Sequence, residues 1–202
     1  MSEISLPQQS TMIDAGWIGG VVTALRQRET ASQAGLDALR DRLVALVNRE
    51  DGPLAAAFAQ AGDAAKFRRH PLAAAELAPI GCSALMMYWP KGYSTLPHDH
   101  AGLWGIELVI DGALQIDEFV RVGERARPTL ALARSLYLGI GDAAVFSGDA
   151  YVHRCRNLSG TQAALSLHVY GGSLDAYRAF LVDTSGRYRT REEIARSDAA
   201  IG

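Results

Sequence analysis

The sequence lacks the features that define several large protein classes. Only two of its 202 residues are cysteine, Cys82 and Cys155, which excludes a disulfide framework and indicates a reducing compartment. Basic and acidic side chains number 20 and 22, and this near balance argues against a nucleic-acid partner, which would favour a basic face. The length is typical of a single domain that buries its own core.

Long apolar runs are also missing. The most apolar early stretch, residues 16–25, is far shorter than the roughly 20 residues that a membrane-spanning helix needs. Acidic residues rather than a basic segment precede it, so it does not resemble a signal peptide. We therefore expect a cytoplasmic protein with no membrane partner.

The N-terminal third carries the spacing of amphipathic helices. Trp17, Val21 and Leu25 recur every four positions, which places them on one helix face. Four leucines then alternate at spacings of three and four residues: Leu36, Leu39, Leu43 and Leu46. These stripes predict helices that pack their apolar faces on the rest of the protein.

Local signals predict where these helices start. Residues 30–33 match a capping box, with Thr30 as the first capping residue, and Pro53 is typical of the first turn of a third helix that ends at Gln60. We expect a helical segment, residues 1–66, packed on a domain formed by residues 67–202.

The spacing of apolar residues changes near residue 79, where short apolar runs alternate with glycine and proline. The runs predict strands at 83–89, 104–110, 114–120, 143–146 and 163–170. Asp111-Gly112, between two of these runs, is a strong β-hairpin signal, and residues 190–197 predict a short charged helix. Regular short strands without helical spacers favour a mainly β sandwich or barrel.

Two histidine motifs lie in this β half. His98 and His100 are two residues apart, so in an extended strand both imidazoles point to one face and can bind one ion. His153, several strands later, can complete a three-ligand site inside a barrel. Imidazole binds iron, copper, zinc and nickel, so the residues do not identify the metal. The alternative is a surface loop with two solvated histidines.

A third motif alternates polar and apolar residues along one strand. Ser166, His168 and Tyr170 share one face, and if buried they must hydrogen-bond to each other or to a bound molecule. The alternative is the solvent-facing side of an edge strand. The motif contains no acidic residue and Ser166 has no glycine-flanked elbow, so we do not predict a nucleophilic serine triad.

Together these motifs resemble those of the cysteine dioxygenase family of thiol dioxygenases, in the cupin superfamily. Gly92, five residues, and then His98-x-His100 resemble the first cupin motif, and His153-x-x-x-Asn157 resembles the end of the second. The resemblance covers about half of the chain. It implies a cupin barrel, a double-stranded β-helix or jelly roll, preceded by a helical segment.

The resemblance also implies an activity. Ferrous iron held by His98, His100 and His153 would serve the oxidation of a small carboxylated thiol to its sulfinic acid by O2. Cysteine, 3-mercaptopropionate and mercaptosuccinate are the expected kinds of substrate. The family's triad falls on Ser166, His168 and Tyr170, where the Tyr170 hydroxyl would reach the substrate. The only partners implied are the thiol and O2, with the protein a monomer or a homodimer.

One family element resembles this sequence less closely. The family holds the substrate carboxylate with an arginine in a Tyr-x-Arg element, and here Phe67-Arg68-Arg69 falls at that place. Arg69 is in register, and its guanidinium could clamp a carboxylate in bidentate fashion. Phe67 replaces the tyrosine, and the alternative for Arg69 is a plain surface charge.

Two further positions depart from related proteins. The usual cupin glutamate is replaced by Trp104-Gly105, as in thiol dioxygenases, and Gly105 excludes the cysteine–tyrosine crosslink of the animal enzymes. If Gly105 faces the site, period two points Glu107 inward as well, as a fourth ligand or a substrate-binding group. The alternative is that Glu107 faces solvent. Cys155 is expected to be either a fourth ligand or a buried apolar filler.

The same residues are also compatible with two other functions. The first is a metal-binding cupin without turnover, such as a ligand-sensing module. The second is a different cupin oxygenase that uses Glu107.

Overall fold

The computed structural model describes residues 15–29, 32–47, 54–60, 62–124, 127–184 and 186–200. Its helices are α1 (Ala15–Arg26), α2 (Gln33–Val44), α3 (Leu54–Gln60) and α4 (Ala74–Leu77), followed by a 3₁₀ turn (Ala78–Ile80). Its strands are β1 (Arg68–Pro71), β2 (Ser83–Trp89), β3 (Gly105–Asp111), β4 (Leu114–Glu124), β5 (Arg127–Leu138), β6 (Ala143–Phe146), β7 (Val152–Asn157), β8 (Ala164–Tyr170), β9 (Ala176–Val182) and β10 (Tyr188–Ile194).

The apolar stripes of the helices are buried as their spacing predicts, except that Leu46 lies beyond the end of α2 and is half-buried. Trp17, Val21 and Leu25 are all buried, and the Trp17 indole donates a hydrogen bond to the Leu46 carbonyl oxygen. The capping prediction is wrong in register, because Ser32 caps α2 and its hydroxyl accepts from the Gly35 amide at 3.1 Å. Thr30 and Ala31 lie outside the described residues, as does Pro53.

The strands form antiparallel sheets, and the helices pack on one face of the largest sheet. One sheet has the order β1-β2-β8-β3-β6, a second has β5-β4-β7, and β9 pairs with β10. The β2 residues Ala84, Met86 and Tyr88 pack with the helices, whereas alternate residues of the same strand join a second core between the sheets. Both faces are therefore buried, which explains the near-continuous apolar run. The predicted mainly β fold with an N-terminal helical segment is confirmed.

Strand β8 lies in the middle of the five-stranded sheet, between β2 and β3. Its odd-numbered residues face the helices, and its even-numbered residues, which include Ser166, His168 and Tyr170, face the barrel interior. All three are buried, so the edge-strand alternative is wrong.

The hairpin predicted at Asp111-Gly112 is wrong. Strand β3 pairs with β6 and β8, whereas β4 pairs with β5 and β7, so this turn passes from one sheet to the other. Gly112 has a φ of 76°, but Asp111 does not adopt positive φ. A type I′ hairpin turn needs positive φ at both central residues.

The charged helix predicted at 190–197 is also wrong. Residues Tyr188–Ile194 form β10, which pairs along its whole length with β9. Its mostly exposed, charged side chains gave no apolar alternation from which a strand could be predicted. Among the described residues, none of the helices has the length and apolar content that a membrane span requires.

Candidate metal centre and cavity

Three histidines converge inside the barrel. His98 and His153 lie side by side, since each donates its backbone N–H to the other's carbonyl oxygen, at 2.8 and 2.9 Å. Their Nε2 atoms are 3.2 Å apart, and the ligand nitrogens of His98, His100 and His153 all lie within 4.8 Å of one another. Burial lowers the pKa of each of these histidines, so the imidazoles are neutral and offer lone pairs.

This donor set fits a divalent transition metal. The Nδ1 atom of His98 lies 2.9 Å from the Leu96 carbonyl oxygen, which acts as acceptor and leaves Nε2 unprotonated and free to bind. Two imidazole nitrogens that bind one ion at about 2.1 Å, at roughly a right angle, are about 3 Å apart. The Nδ1 atom of His100 is buried without a hydrogen-bond partner among the described residues, which is costly unless a ligand is present.

The polar residues of β8 form a connected chain beside the histidines. The Trp89 indole donates to Ser166 Oγ at 2.7 Å, and Ser166 Oγ lies 2.8 Å from His168 Nε2. The other ring nitrogen of His168 lies 3.3 Å from the Tyr170 hydroxyl. Burial raises the pKa of Tyr170 well above its usual value, so the residue is a neutral phenol.

Glu107 faces this chain from the neighbouring strand, directly opposite His168 in the register. It is only 2% exposed, so the solvent-facing alternative is wrong. Its Oε1 atom lies 3.5 Å from His153 Nε2 and 3.4 Å from His168 Nδ1. Burial alone would raise the pKa of Glu107, but the imidazoles of His153 and His168 outweigh it and lower the pKa to about 2.

A carboxylate therefore does lie next to the Ser166–His168 pair, although the motif itself contains none. Ser166 is still not placed as a nucleophile, because it is completely buried and its oxygen accepts a hydrogen bond from the Trp89 indole. The period-two spacing of Glu107 from Gly105 predicts this inward direction, and the burial of Glu107 agrees with it.

Arg68 and the candidate carboxylate-binding residue Arg69 point to opposite faces of β1. The Arg68 guanidinium donates to the Phe58 carbonyl oxygen and lies over the Tyr88 ring, 4.4 Å from its centre, on the helix side. Arg69 lines the cavity, is 9% exposed, and its guanidinium has no hydrogen bond or ion pair within the described residues. Phe67, at the place of the family's tyrosine, stacks on Tyr93 with ring centres 4.8 Å apart.

These groups share one cavity of about 770 Å³. The chemically active part of its lining comprises Arg69, His98, Glu107, His153, His168 and Tyr170. A metal ion, an aromatic hydroxyl and an unpaired guanidinium could thus all act on one small molecule.

A family model described as cysteine dioxygenase type I matches residues 61–183, more than half of the chain. The chain belongs to this family.

Solved structures similar to this cysteine dioxygenase family member match it at low sequence identity. KdgF from Halomonas sp. is 19% identical, with a TM-score of 0.40, over 52% of this chain and 76% of that one. An oxalate oxidase in complex with glycolate is 18% identical, with a TM-score of 0.42, over 55% of each chain. The Schizosaccharomyces pombe Cnp3 cupin domain is 7% identical, with a TM-score of 0.41, over 53% of this chain and 61% of that one. Comparison with curated proteins yields no match.

Cys155 is a buried thiol rather than a thiolate. It is 1% exposed, and burial raises its pKa well above the usual value. Its Sγ atom donates to Glu107 Oε2 at 3.6 Å and lies 3.5 Å from His153 Nδ1. The neutral thiol therefore fills space and weakly supports the Glu107 carboxylate.

One wall of the cavity comes from beyond the segment that matches the cysteine dioxygenase family. Residues from 192 to 198, including Glu192, Arg196 and Asp198, line it. The Asp198 amide donates to the Arg69 carbonyl oxygen at 2.7 Å, and Asp198 Oδ2 accepts from the Arg69 amide at 2.9 Å. This C-terminal segment therefore covers the free edge of β1. Sequence reasoning missed it, because no local motif marks these residues.

Proposed function

We propose that the protein is a non-haem iron thiol dioxygenase that oxidises a small carboxylated thiol, such as cysteine or 3-mercaptopropionate, to its sulfinic acid. Both atoms of O2 end on sulfur, which loses four electrons as O2 gains them, and the thiol proton is retained by the sulfinic acid. The family match supports an oxygenase-type enzyme. The observation that carries the proposal is one cavity lined by Arg69, Tyr170 and two of the three converging histidines, His98 and His153.

The proposed cofactor is ferrous iron, held by His98, His100 and His153. When bound, iron would supply a coordination site for the thiolate and the means to reduce O2. The three neutral imidazoles add no charge of their own, so the centre keeps a net positive charge that favours an anionic sulfur.

The remaining residues would bind and orient the substrate. The Arg69 guanidinium is buried and unpaired within the described residues, and such a cation is stabilised by a bound carboxylate. Tyr170 remains protonated and could donate its hydroxyl proton to the reacting oxygen or sulfur, with His168 and Ser166 fixing its position. Glu107 adds a buried negative charge to the cavity lining, where it would favour a substrate with a cationic or hydrogen-bond-donating group.

A metal-binding cupin without turnover is the second candidate. It would need the three histidines, but it would not need a buried chain of Trp89, Ser166, His168 and Tyr170 that points at the same cavity. Burying so many polar groups is costly unless they serve a bound molecule, so the chain favours the enzyme. We propose a cytoplasmic location, where small thiols stay reduced.

The test is O2 consumption by iron-loaded protein. Purified protein is loaded anaerobically with Fe(II) and offered a panel of thiols that vary in carboxylate and amine groups. We expect O2 uptake with at least one carboxylated thiol and a product heavier by two oxygen atoms, both labelled when heavy-isotope O2 is supplied. No uptake with any thiol at full iron occupancy would contradict the proposal and favour the non-catalytic cupin.

A further inference from the structure

The proton positions along the buried polar chain can be worked out from its donors. An indole N–H can only donate, so Ser166 Oγ must accept the Trp89 hydrogen bond at 2.7 Å. The Ser166 hydroxyl then has its own proton to donate, and His168 Nε2 lies 2.8 Å away. If His168 Nε2 accepts this proton, the neutral imidazole carries its own proton on Nδ1. A hydroxyl oxygen has a second lone pair, so Ser166 can also accept from a protonated Nε2, and this contact alone does not fix the tautomer.

Glu107 favours the Nδ1-protonated tautomer from the other side of the ring. Its Oε1 atom lies 3.4 Å from His168 Nδ1 and has no hydrogen bond among the described residues. A carboxylate can only accept, so a protonated Nδ1 is attracted to it, whereas an unprotonated Nδ1 would bring two lone pairs together. The strand register, which sets Glu107 opposite His168, fixes this contact.

The tautomer decides what Tyr170 can do. Its hydroxyl oxygen lies 3.3 Å from the same His168 Nδ1. If Nδ1 carries a proton, the Tyr170 hydroxyl cannot donate to it and keeps its own hydrogen for a group in the cavity. If Nδ1 were unprotonated, Tyr170 would donate to His168 and would offer only an acceptor to the substrate.

We propose that Glu107 is a positioning residue that holds His168 in the Nδ1-protonated form and so keeps the Tyr170 hydroxyl a donor to the cavity. The effect of Glu107 on turnover rests on the proposed function, whereas its effect on the His168 tautomer does not. Glu107 would thus act on the Ser166–His168–Tyr170 motif of β8 from a neighbouring strand, although it is not part of that motif. The same logic governs a carboxylate-oriented histidine in serine proteases, where replacing the carboxylate by an amide leaves the wrong tautomer.

The direct test is NMR of protein with nitrogen-labelled histidine, loaded with diamagnetic Zn(II). The His168 ring signals are identified by their loss in His168→Gln. We expect wild-type His168 to be protonated on Nδ1, and Glu107→Leu to shift the population toward Nε2 protonation. A wild-type ring protonated on Nε2, or a Glu107→Leu ring unchanged from wild type, would overturn the proposal. This result does not depend on any thiol being oxidised.

A double-mutant cycle tests the link to Tyr170. With an active thiol, Glu107→Leu should lower kcat by about 10-fold to 100-fold with metal content unchanged. The control Glu76→Gln, at an exposed position on α4, should match wild type. In a Tyr170→Phe background, Glu107→Leu should cost little more, since the hydroxyl it serves is gone. Fully additive losses would show that Glu107 acts independently of Tyr170, and loss of metal in Glu107→Leu would assign Glu107 to the metal centre; either result would overturn the proposal. If no thiol is oxidised, the proposed function fails but the tautomer measurement still decides the role of Glu107.

Discussion

The ring of Phe146 occupies the space beside Gly105 that a side chain at position 105 would need. A Cβ atom built there would lie 2.2 Å from Phe146 Cζ, far inside van der Waals contact. In the strand register Gly105 lies between Phe146 and Tyr170. Gly105 has no side chain that could be crosslinked to Tyr170, and the Phe146 ring fills the space that such a side chain would occupy.

This packing predicts that Gly105→Ala destabilises the protein by about 1–3 kcal/mol, the usual cost of overpacking a core. Urea denaturation measures the change in the free energy of unfolding. Gly160→Ala, where an added Cβ meets nothing within 4 Å, is the matched control and should have little effect. Phe146→Leu should restore much of the loss in Gly105→Ala. An equal loss without that rescue would mean that the clash lies elsewhere.

Metal binding should depend on the three histidines and not on histidine content in general. His100→Gln removes one of the converging nitrogens, so iron content after anaerobic loading should fall well below that of wild type. His70→Gln changes another buried histidine, whose Nδ1 lies 2.9 Å from the Ala199 carbonyl oxygen away from the metal centre. It should retain iron. Elemental analysis of the desalted proteins checks both, and full iron content in His100→Gln would refute the ligand assignment.

The β8 chain should affect turnover but not metal content. Tyr170→Phe and His168→Gln should each lower kcat by about 10²-fold to 10⁴-fold, the range typical of a lost proton-transfer group. Iron content should stay at the wild-type value, because neither residue belongs to the histidine cluster. If either variant loses its iron, these residues hold the metal centre together and the proposed catalytic role is wrong.

Arg69 should matter only for thiols that carry a carboxylate. Arg69→Met removes the charge-assisted hydrogen bonds to that group, which are worth about 1.5–3 kcal/mol, so KM should rise roughly 10-fold to 100-fold. A thiol without a carboxylate should show no such rise. Asp198→Ala, which releases only the backbone of Arg69, should raise KM less. Equal effects on both classes of thiol would place the carboxylate elsewhere.

A pH-dependent contribution to stability is expected from Asp117 on β4. Burial alone would raise the pKa of Asp117, but hydrogen bonds from Ser135 and Arg154, both at 2.6 Å, outweigh it and lower the pKa. A lowered pKa in the folded state stabilises the protein above the unfolded pKa of about 3.9, and the contribution is lost as the pH falls through the folded pKa.

Asp117→Asn should therefore destabilise the protein by about 1–3 kcal/mol near neutral pH, with the difference shrinking below about pH 4. Thermal unfolding across this pH range measures it. Asp149→Asn, at an exposed position, is the control and should have little effect. A constant difference at all pH values would show that the hydrogen bonds, and not the charge, carry the stabilisation.

The sequence by itself determined what local spacing can encode. The alternation of Ser166, His168 and Tyr170 placed them on one strand face, and the helical stripe of Trp17, Val21 and Leu25 was buried as predicted. Such patterns succeed because side chains repeat every two residues in a strand and about every 3.6 in a helix, whatever surrounds them. The order of the motifs also pointed to the correct family.

Only the tertiary structure decided which distant groups meet. Strand pairing set Glu107 opposite His168, the two faces of β1 separated Arg69 from Arg68, and the C-terminal segment beside Arg69 became a cavity wall. The turn at Asp111-Gly112 likewise joins two sheets, although its residue types are typical of a hairpin. Register and sheet order depend on contacts between segments far apart in the chain, and no local spacing records them.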